Sequence, residues 1–102
     1  MTRLAYRPAA LADLEAIEDY IAAYDPERAI SFIRDIRARC RMLCDFPELG
    51  PARPDIAPGI RILPMRRKVA VAYRVTTGAV VVTRVFYGGQ DFAAILRRAP
   101  GE

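Results

Sequence analysis

Histidine does not occur in this 102-residue sequence. Its absence excludes Ser-His-Asp and Cys-His devices, histidine metal sites and histidine proton transfer. Lysine occurs once, as Lys68. Any chemistry must therefore rest on carboxylates, tyrosines, arginines or that single amine. Cysteine occurs twice, at Cys40 and Cys44. Two thiols are too few for a structural zinc site or a disulfide framework. On a helix their spacing sets both near one face, as small buried apolar residues or as a redox pair. No apolar run approaches the ~20 residues of a membrane span. The opening Met1-Thr2-Arg3-Leu4-Ala5-Tyr6-Arg7 is too polar for a signal peptide. The expected location is cytoplasmic.

What is present reads as one globular domain over residues 1–102. Hydrophobic residues make up 53% and charged residues 27%, a balance that can close a core. The net charge of +4 is unevenly divided. Residues 1–52 hold seven arginines against nine carboxylates, net −2, and residues 53–102 hold nine cations against three, net +6. An acidic front and a basic back suggest two surfaces with different partners. Fifteen of the sixteen cations are arginine. That suits bidentate contacts with carboxylate or phosphate, but a GC-rich genome favours arginine codons too, so the ratio alone decides nothing.

The hydrophobic pattern orders the elements. Leu4 and Tyr6 alternate against Arg3, Ala5 and Arg7 as a short first strand over residues 2–7. Pro8 opens a helix to Tyr24, with Ala10, Leu14, Ile17, Ile21 and Tyr24 as its apolar stripe. Asp25-Pro26-Glu27 supplies an N-cap, a first helical residue and a favourable charge for a second helix to about Phe46. Its stripe is Ala29, Phe32, Ile33, Ile36, Cys40, Leu43 and Cys44, with Arg34, Arg37 and Arg41 on another flank. The short connection makes the two helices an antiparallel hairpin. Residues 47–59 hold four prolines and two glycines and read as a rigid surface loop. Strands are expected over residues 59–64, 67–75 and 79–87, then a helix from Phe92 to Arg98 capped by Asp91. The fold class is α+β: an N-terminal strand, a helical hairpin packed on a three- to four-stranded twisted antiparallel sheet, and a short C-terminal helix.

Arg74 and Arg84 interrupt apolar strands, and their faces depend on the hairpin between them. A two-residue turn at Thr77-Gly78 pairs residue 74 with 81 and 71 with 84, setting the two arginines on opposite faces. A three-residue loop pairs 74 with 80 and 70 with 84, setting them together. The second arrangement is preferred because it keeps charge off the core. It leaves Val69, Val71, Tyr73, Val81, Thr83 and Val85 as the packing face, and a shallow arginine-bearing face opposite.

Several short runs carry a resemblance. They are Ala12-Asp13-Leu14-Glu15-Ala16-Ile17 with Tyr20-Ile21, Ala29 with Phe32, and Phe46-Pro47-Glu48-Leu49-Gly50. Arg61, Tyr73-Arg74-Val75 and Arg84-Val85-Phe86-Tyr87-Gly88 complete the set. In this order they resemble the RelE/ParE superfamily of type II toxins, and most closely its ParE branch. The resemblance implies a small toxin that inhibits DNA gyrase and is neutralised by a ParD-like antitoxin, in a hetero-oligomer with it and with no cofactor or metal. The target-binding residues would be Arg61, Arg74, Arg84, Tyr87, Arg97 and Arg98. Tyr87 has a second reading, as a half-buried aromatic closing the sheet edge. An amphipathic antitoxin segment would dock near Tyr20, Tyr24, Ile30 and Ile33, which equally fit a hairpin core. The alternative is a RelE-like ribosome-dependent mRNA endonuclease using Arg61, Arg67, Lys68, Arg84 and Tyr87. RelE-type nucleases resemble one another in a basic tail with a helical tyrosine. Here Gly88-Gly89-Gln90-Asp91-Phe92-Ala93-Ala94-Ile95-Leu96 holds neither, which favours the ParE branch.

Overall fold

The computed structural model describes residues 2–65 and 68–98. The elements follow in the order β1 (Arg3–Tyr6), α1 (Pro8–Ala22), α2 (Pro26–Met42), β2 (Arg61–Met65), β3 (Val69–Thr76), β4 (Ala79–Tyr87) and α3 (Phe92–Arg98). The sheet order is β1-β4-β3-β2. β2, β3 and β4 form the antiparallel meander, and β1 joins β4 in parallel, so the complete sheet is mixed.

Proline opens both long helices, at a position whose missing N–H leaves no bond unmade. Asp25 caps α2 by accepting from the Arg28 amide at 3.0 Å. α2 ends at Met42, four residues short of expectation. The next residues tighten into three-residue-spaced bonds, Leu43 N to Cys40 O and Cys44 N to Arg41 O. Pro47 disfavours helical backbone at Phe46, so the helix unwinds before it. α1 ends two residues early, and Tyr24 leaves the expected stripe to stand 69% exposed.

One face of the sheet carries the helical hairpin. Its core joins Leu14, Ile17, Ile21, Phe32, Ile36 and Leu43 to Leu63, Val71, Tyr73, Val80, Val82 and Val85. The opposite face carries a smaller core of Ile56, Ile60, Ile62, Ala72, Phe86 and Leu96, supplied by the proline-rich loop and α3. The arginine-bearing face expected to lie open is therefore largely covered. Cys40 is buried in the first core, Cys44 is half-buried, and both are free thiols.

The β3–β4 hairpin places Arg74 and Arg84 on one face by a route the sequence reading did not contain. The turn is the two-residue one, with Thr76 opposite Ala79 and Arg74 opposite Val81. Gly78, the second residue of the turn, takes the left-handed backbone at φ 77° that glycine adopts without steric cost. A bulge then follows: Tyr73 faces Val82 but Ala72 faces Arg84, leaving Thr83 as the extra residue. Unbroken alternation from Val80 and Val82 would drive Arg84 and Phe86 toward the hairpin. The bulge turns Arg84 away and brings Val85 in. Val80 and Val82 thus replace Val81 and Thr83 on the packing face. Thr83 is buried, and its hydroxyl donates to Ala72 O at 3.1 Å.

Candidate functional site

The arginines singled out in the sequence form two groups, one of which holds the fold together. Arg84 lies where β1 has ended and the edge of β4 meets α1. Its Nε and one terminal nitrogen donate to the two carboxylate oxygens of Asp13, at 2.7 and 3.0 Å. Asp13 also accepts from the Val85 amide at 2.9 Å. One carboxylate thus caps an unpaired strand amide and neutralises the arginine beside it. Both side chains are about four-fifths buried, where removing one partner strands the other's charge. Asp13 stands off the apolar stripe of α1, and helical periodicity does not register the end of a neighbouring strand, so this pair carries no signal in the sequence.

Arg61 donates to Gly50 O at 2.7 Å. Beside it the Tyr73 hydroxyl accepts from the Gly50 amide at 2.9 Å and donates to Pro47 O at 2.7 Å. A Cβ on Gly50 would stand 2.8 Å from the Tyr73 ring and 2.9 Å from Ile62 O, so only glycine allows this close approach. Burial pushes the Tyr73 phenol upward from its ordinary value. From there the loop passes the edge of β2, with Ile62 N bonding Pro51 O and Arg53 N bonding Ile60 O. On the other side Arg74 donates to Pro58 O. Arg61, Tyr73 and Arg74 together fasten the proline-rich loop around the sheet.

The second group is exposed. Arg97 approaches Asp55, its guanidinium 3.8 Å from the carboxylate, and Arg53 binds the same carboxylate bidentately at 2.9 and 3.0 Å. Those hydrogen bonds hold the Asp55 carboxyl below its usual range. Arg98 also stands in solvent at the end of α3. Lys68 is exposed in the β2–β3 turn with φ 74°. Arg67 falls outside the described residues.

Tyr87 connects two sets that the sequence kept apart. Its ring meets Phe32 at 5.5 Å and Tyr20 at 6.1 Å between centroids, and Tyr20 meets Tyr24 at 5.7 Å. All three contacts are edge-on, the favourable geometry for aromatic pairs. Tyr20 and Tyr24 are 58% and 69% exposed, and Ile30 is 53% exposed. Ile33 is different: it is buried in the hairpin core. The Tyr24 hydroxyl is pushed upward by its hydrogen bond to Tyr20. Tyr87 also lines a groove of about 230 Å³ with Pro64, Lys68, Phe86, Gln90 and Phe92. Its amide donates to Gln90 Oε1 at 3.1 Å, a contact with no sequence signal beyond the turn at Gly88-Gly89. Gln90 and Phe32 are thus part of the site's architecture that sequence reasoning missed.

The family described as the ParE toxin of type II toxin-antitoxin systems, parDE, matches residues 4–92. The chain belongs to this ParE family. Among solved structures it is similar to a chain of the chromosomal ParDE toxin-antitoxin system from P. aeruginosa. Identity is 29%, over 85% of this chain and 96% of that one, with a TM-score of 0.75. No curated protein matches. As a ParE-family toxin of a two-component system, the chain has an antitoxin for its partner. No helix among the described residues is long and apolar enough to cross a membrane.

Proposed function

We propose that residues 1–102 act as one toxin domain that binds and inhibits DNA gyrase in the cytoplasm, without chemistry of its own, and that an antitoxin neutralises it by covering the aromatic patch. The observation that supports this reading most is the engagement of the arginines. Arg84 is held by Asp13 and Arg61 by the Gly50 carbonyl, so neither guanidinium is free to stabilise a phosphorane. Arg97 and Arg98 remain exposed and are the target contacts we assign, with Tyr87 at the opposite end of the β4–α3 connection. Arg61, Arg74 and Arg84 act through the surfaces they hold in place.

The aromatic patch links toxicity to its control. Tyr20, Tyr24 and Ile30 offer the apolar anchors that an amphipathic segment needs. Because Tyr20 touches Tyr87, a partner seated on Tyr20 and Tyr24 also covers Tyr87. Neutralisation then follows from occupancy.

The experiment is a gyrase supercoiling and DNA-cleavage assay with the purified chain, with and without its antitoxin. Inhibition with trapped double-strand breaks, reversed by the antitoxin, is the expected result. Undisturbed supercoiling at concentrations that stop growth would overturn the proposal. One observation favours a second reading, ribosome-dependent RNA cleavage: Lys68 and Tyr87 line the same groove. In that case Tyr87→Phe would abolish transcript cleavage on programmed ribosomes while the fold persists.

A further inference from the structure

Most of the large hydrophobic side chains left in solvent gather at the two ends of α2. Tyr20, Tyr24 and Ile30 stand beside its start. Met42, Phe46 and Leu49 stand at its close, all exposed, and none belongs to either buried cluster. At ~1.5 Å per residue, about 24 Å of helix separate the two groups. The second group is one continuous run. Phe46 N bonds Met42 O and Leu49 N bonds Phe46 O, so each residue lies about one turn beyond the last.

The outer face that carries this run is indented as well as apolar. One turn before Met42 stands the small, exposed Ala38. Asp35, Ala38, Arg39, Met42 and Met65 line an open cavity of about 290 Å³ there. Phe46 projects one turn after Met42. The projection and the cavity thus lie at equal distances on either side of one residue. Within one chain they stand about 12 Å apart along the axis and cannot meet. Between two copies they can. An antiparallel two-fold axis at Met42 lays Phe46 of each copy over Ala38 of the other.

The charges match under the same operation. Arg34 and Arg41 are exposed on one flank of this face, and Asp45 continues that flank beyond Met42. None of the three has an ion pair among the described residues. The two-fold axis brings Asp45 of each copy between Arg34 and Arg41 of the other. It also brings the two Arg41 side chains near one another, where the two carboxylates neutralise them. A partner of one charge sign would satisfy the arginines or the carboxylate. A second copy supplies both signs, and the ring for the cavity as well.

We propose that the outer face of α2, from Ala38 to Phe46, is a self-association surface on which two copies of this chain pair antiparallel about Met42. Phe46 of each copy fills the cavity of the other, and Asp45 of each pairs with the arginine flank of the other. The contact is independent of the gyrase reading. Tyr20, Tyr24 and Ile30 lie at the far end of α2, outside the contact, so the pair carries two aromatic patches.

The test is sedimentation equilibrium on the full chain without antitoxin, at concentrations up to ~100 µM, a range that catches weak association. A monomer–dimer equilibrium is expected. Phe46→Ser and Asp45→Arg, both at exposed side chains, are each expected to raise the dissociation constant at least tenfold while circular dichroism stays that of the unaltered chain. Asp45→Arg/Arg41→Glu exchanges the two signs and is expected to recover most of the association lost in Asp45→Arg. A chain that stays monomeric throughout the range would overturn the proposal and leave the toxin reading intact. So would a dimer that neither single substitution weakens, or a double variant no tighter than Asp45→Arg. Loss of antitoxin affinity in Phe46→Ser, with the unaltered chain monomeric, would assign the face to the antitoxin instead.

Discussion

The two faces of the sheet are covered by different means. The hairpin face closes on apolar area: α1 and α2 present periodic stripes, and the buried residues of both helices and three strands form one continuous cluster. On the opposite face the buried cluster among the described residues is smaller, six residues under an irregular loop and a seven-residue helix. That loop is positioned by named bonds at each bend: Arg61 and Tyr73 on Gly50 and Pro47, the Ala52 bridge, and Arg74 on Pro58. Area is non-directional and tolerates small shifts, whereas a hydrogen bond to a buried carbonyl is lost when its partner is lost. One sheet thus carries a thick layer held by packing and a thin layer held by polar ties.

Three substitutions test this contrast, from the largest effect to the smallest. Ile36→Ala removes a fully buried side chain from the thick layer and should cost about 3–4 kcal/mol. Denaturant unfolding should show a lowered midpoint with one cooperative transition. A loss under 1 kcal/mol would mean that the hairpin is not held by area. Tyr73→Phe keeps the ring and deletes one hydroxyl, leaving the Gly50 amide and the Pro47 carbonyl without their partner. The expected cost is about 2 kcal/mol. Amide exchange should rise across residues 47–60 well before it rises in α2, and uniform acceleration would contradict the separation of the two layers. Tyr6→Phe should act in the opposite direction. The Tyr6 hydroxyl is buried next to the Cys40 thiol with no hydrogen-bond partner among the described residues, and burial pushes both groups upward. Removing it should stabilise the chain by up to about 1 kcal/mol, measured as a raised melting temperature. A clear loss would reveal a polar tie in the interior of this layer, beyond the Asp13–Arg84 pair at its edge.

The same contrast explains what was legible in the sequence. α1 and α2 could be read because Leu14, Ile17, Ile21 and then Phe32, Ile36, Cys40 repeat at the helical period. β4 could be read because Ala79 to Tyr87 is rich in β-formers and bounded by glycines. The bulge at Thr83 could not be read, since one extra residue leaves no mark in an apolar run. The correct principle, that Arg84 stays off the core, was therefore attached to the wrong loop length. The pairing of Asp13 with Arg84 spans 71 residues, and no local pattern connects a helix-surface acid to the end of a strand. Tyr20 and Tyr87 met for the same reason, through the topology. Gly50 stood in a recognisable run, but the ring it must clear lies 23 positions further on.

The first strand of the chain pairs with the last, and this gives the molecule a division of labour along its length. Residues 1–52, at net −2, contribute the outer strand and the hairpin, and residues 53–102, at net +6, contribute the meander and α3. Neither portion can close a core alone, because β1 has no ladder without β4 and the meander has no cover without the helices. The two meet at the exposed stretch around Pro54 and Asp55. A chain divided there would yield two inert fragments of opposite charge, drawn together by their fields and toxic only on reassembly. That makes this fold a natural candidate for fragment complementation, with toxicity as its signal.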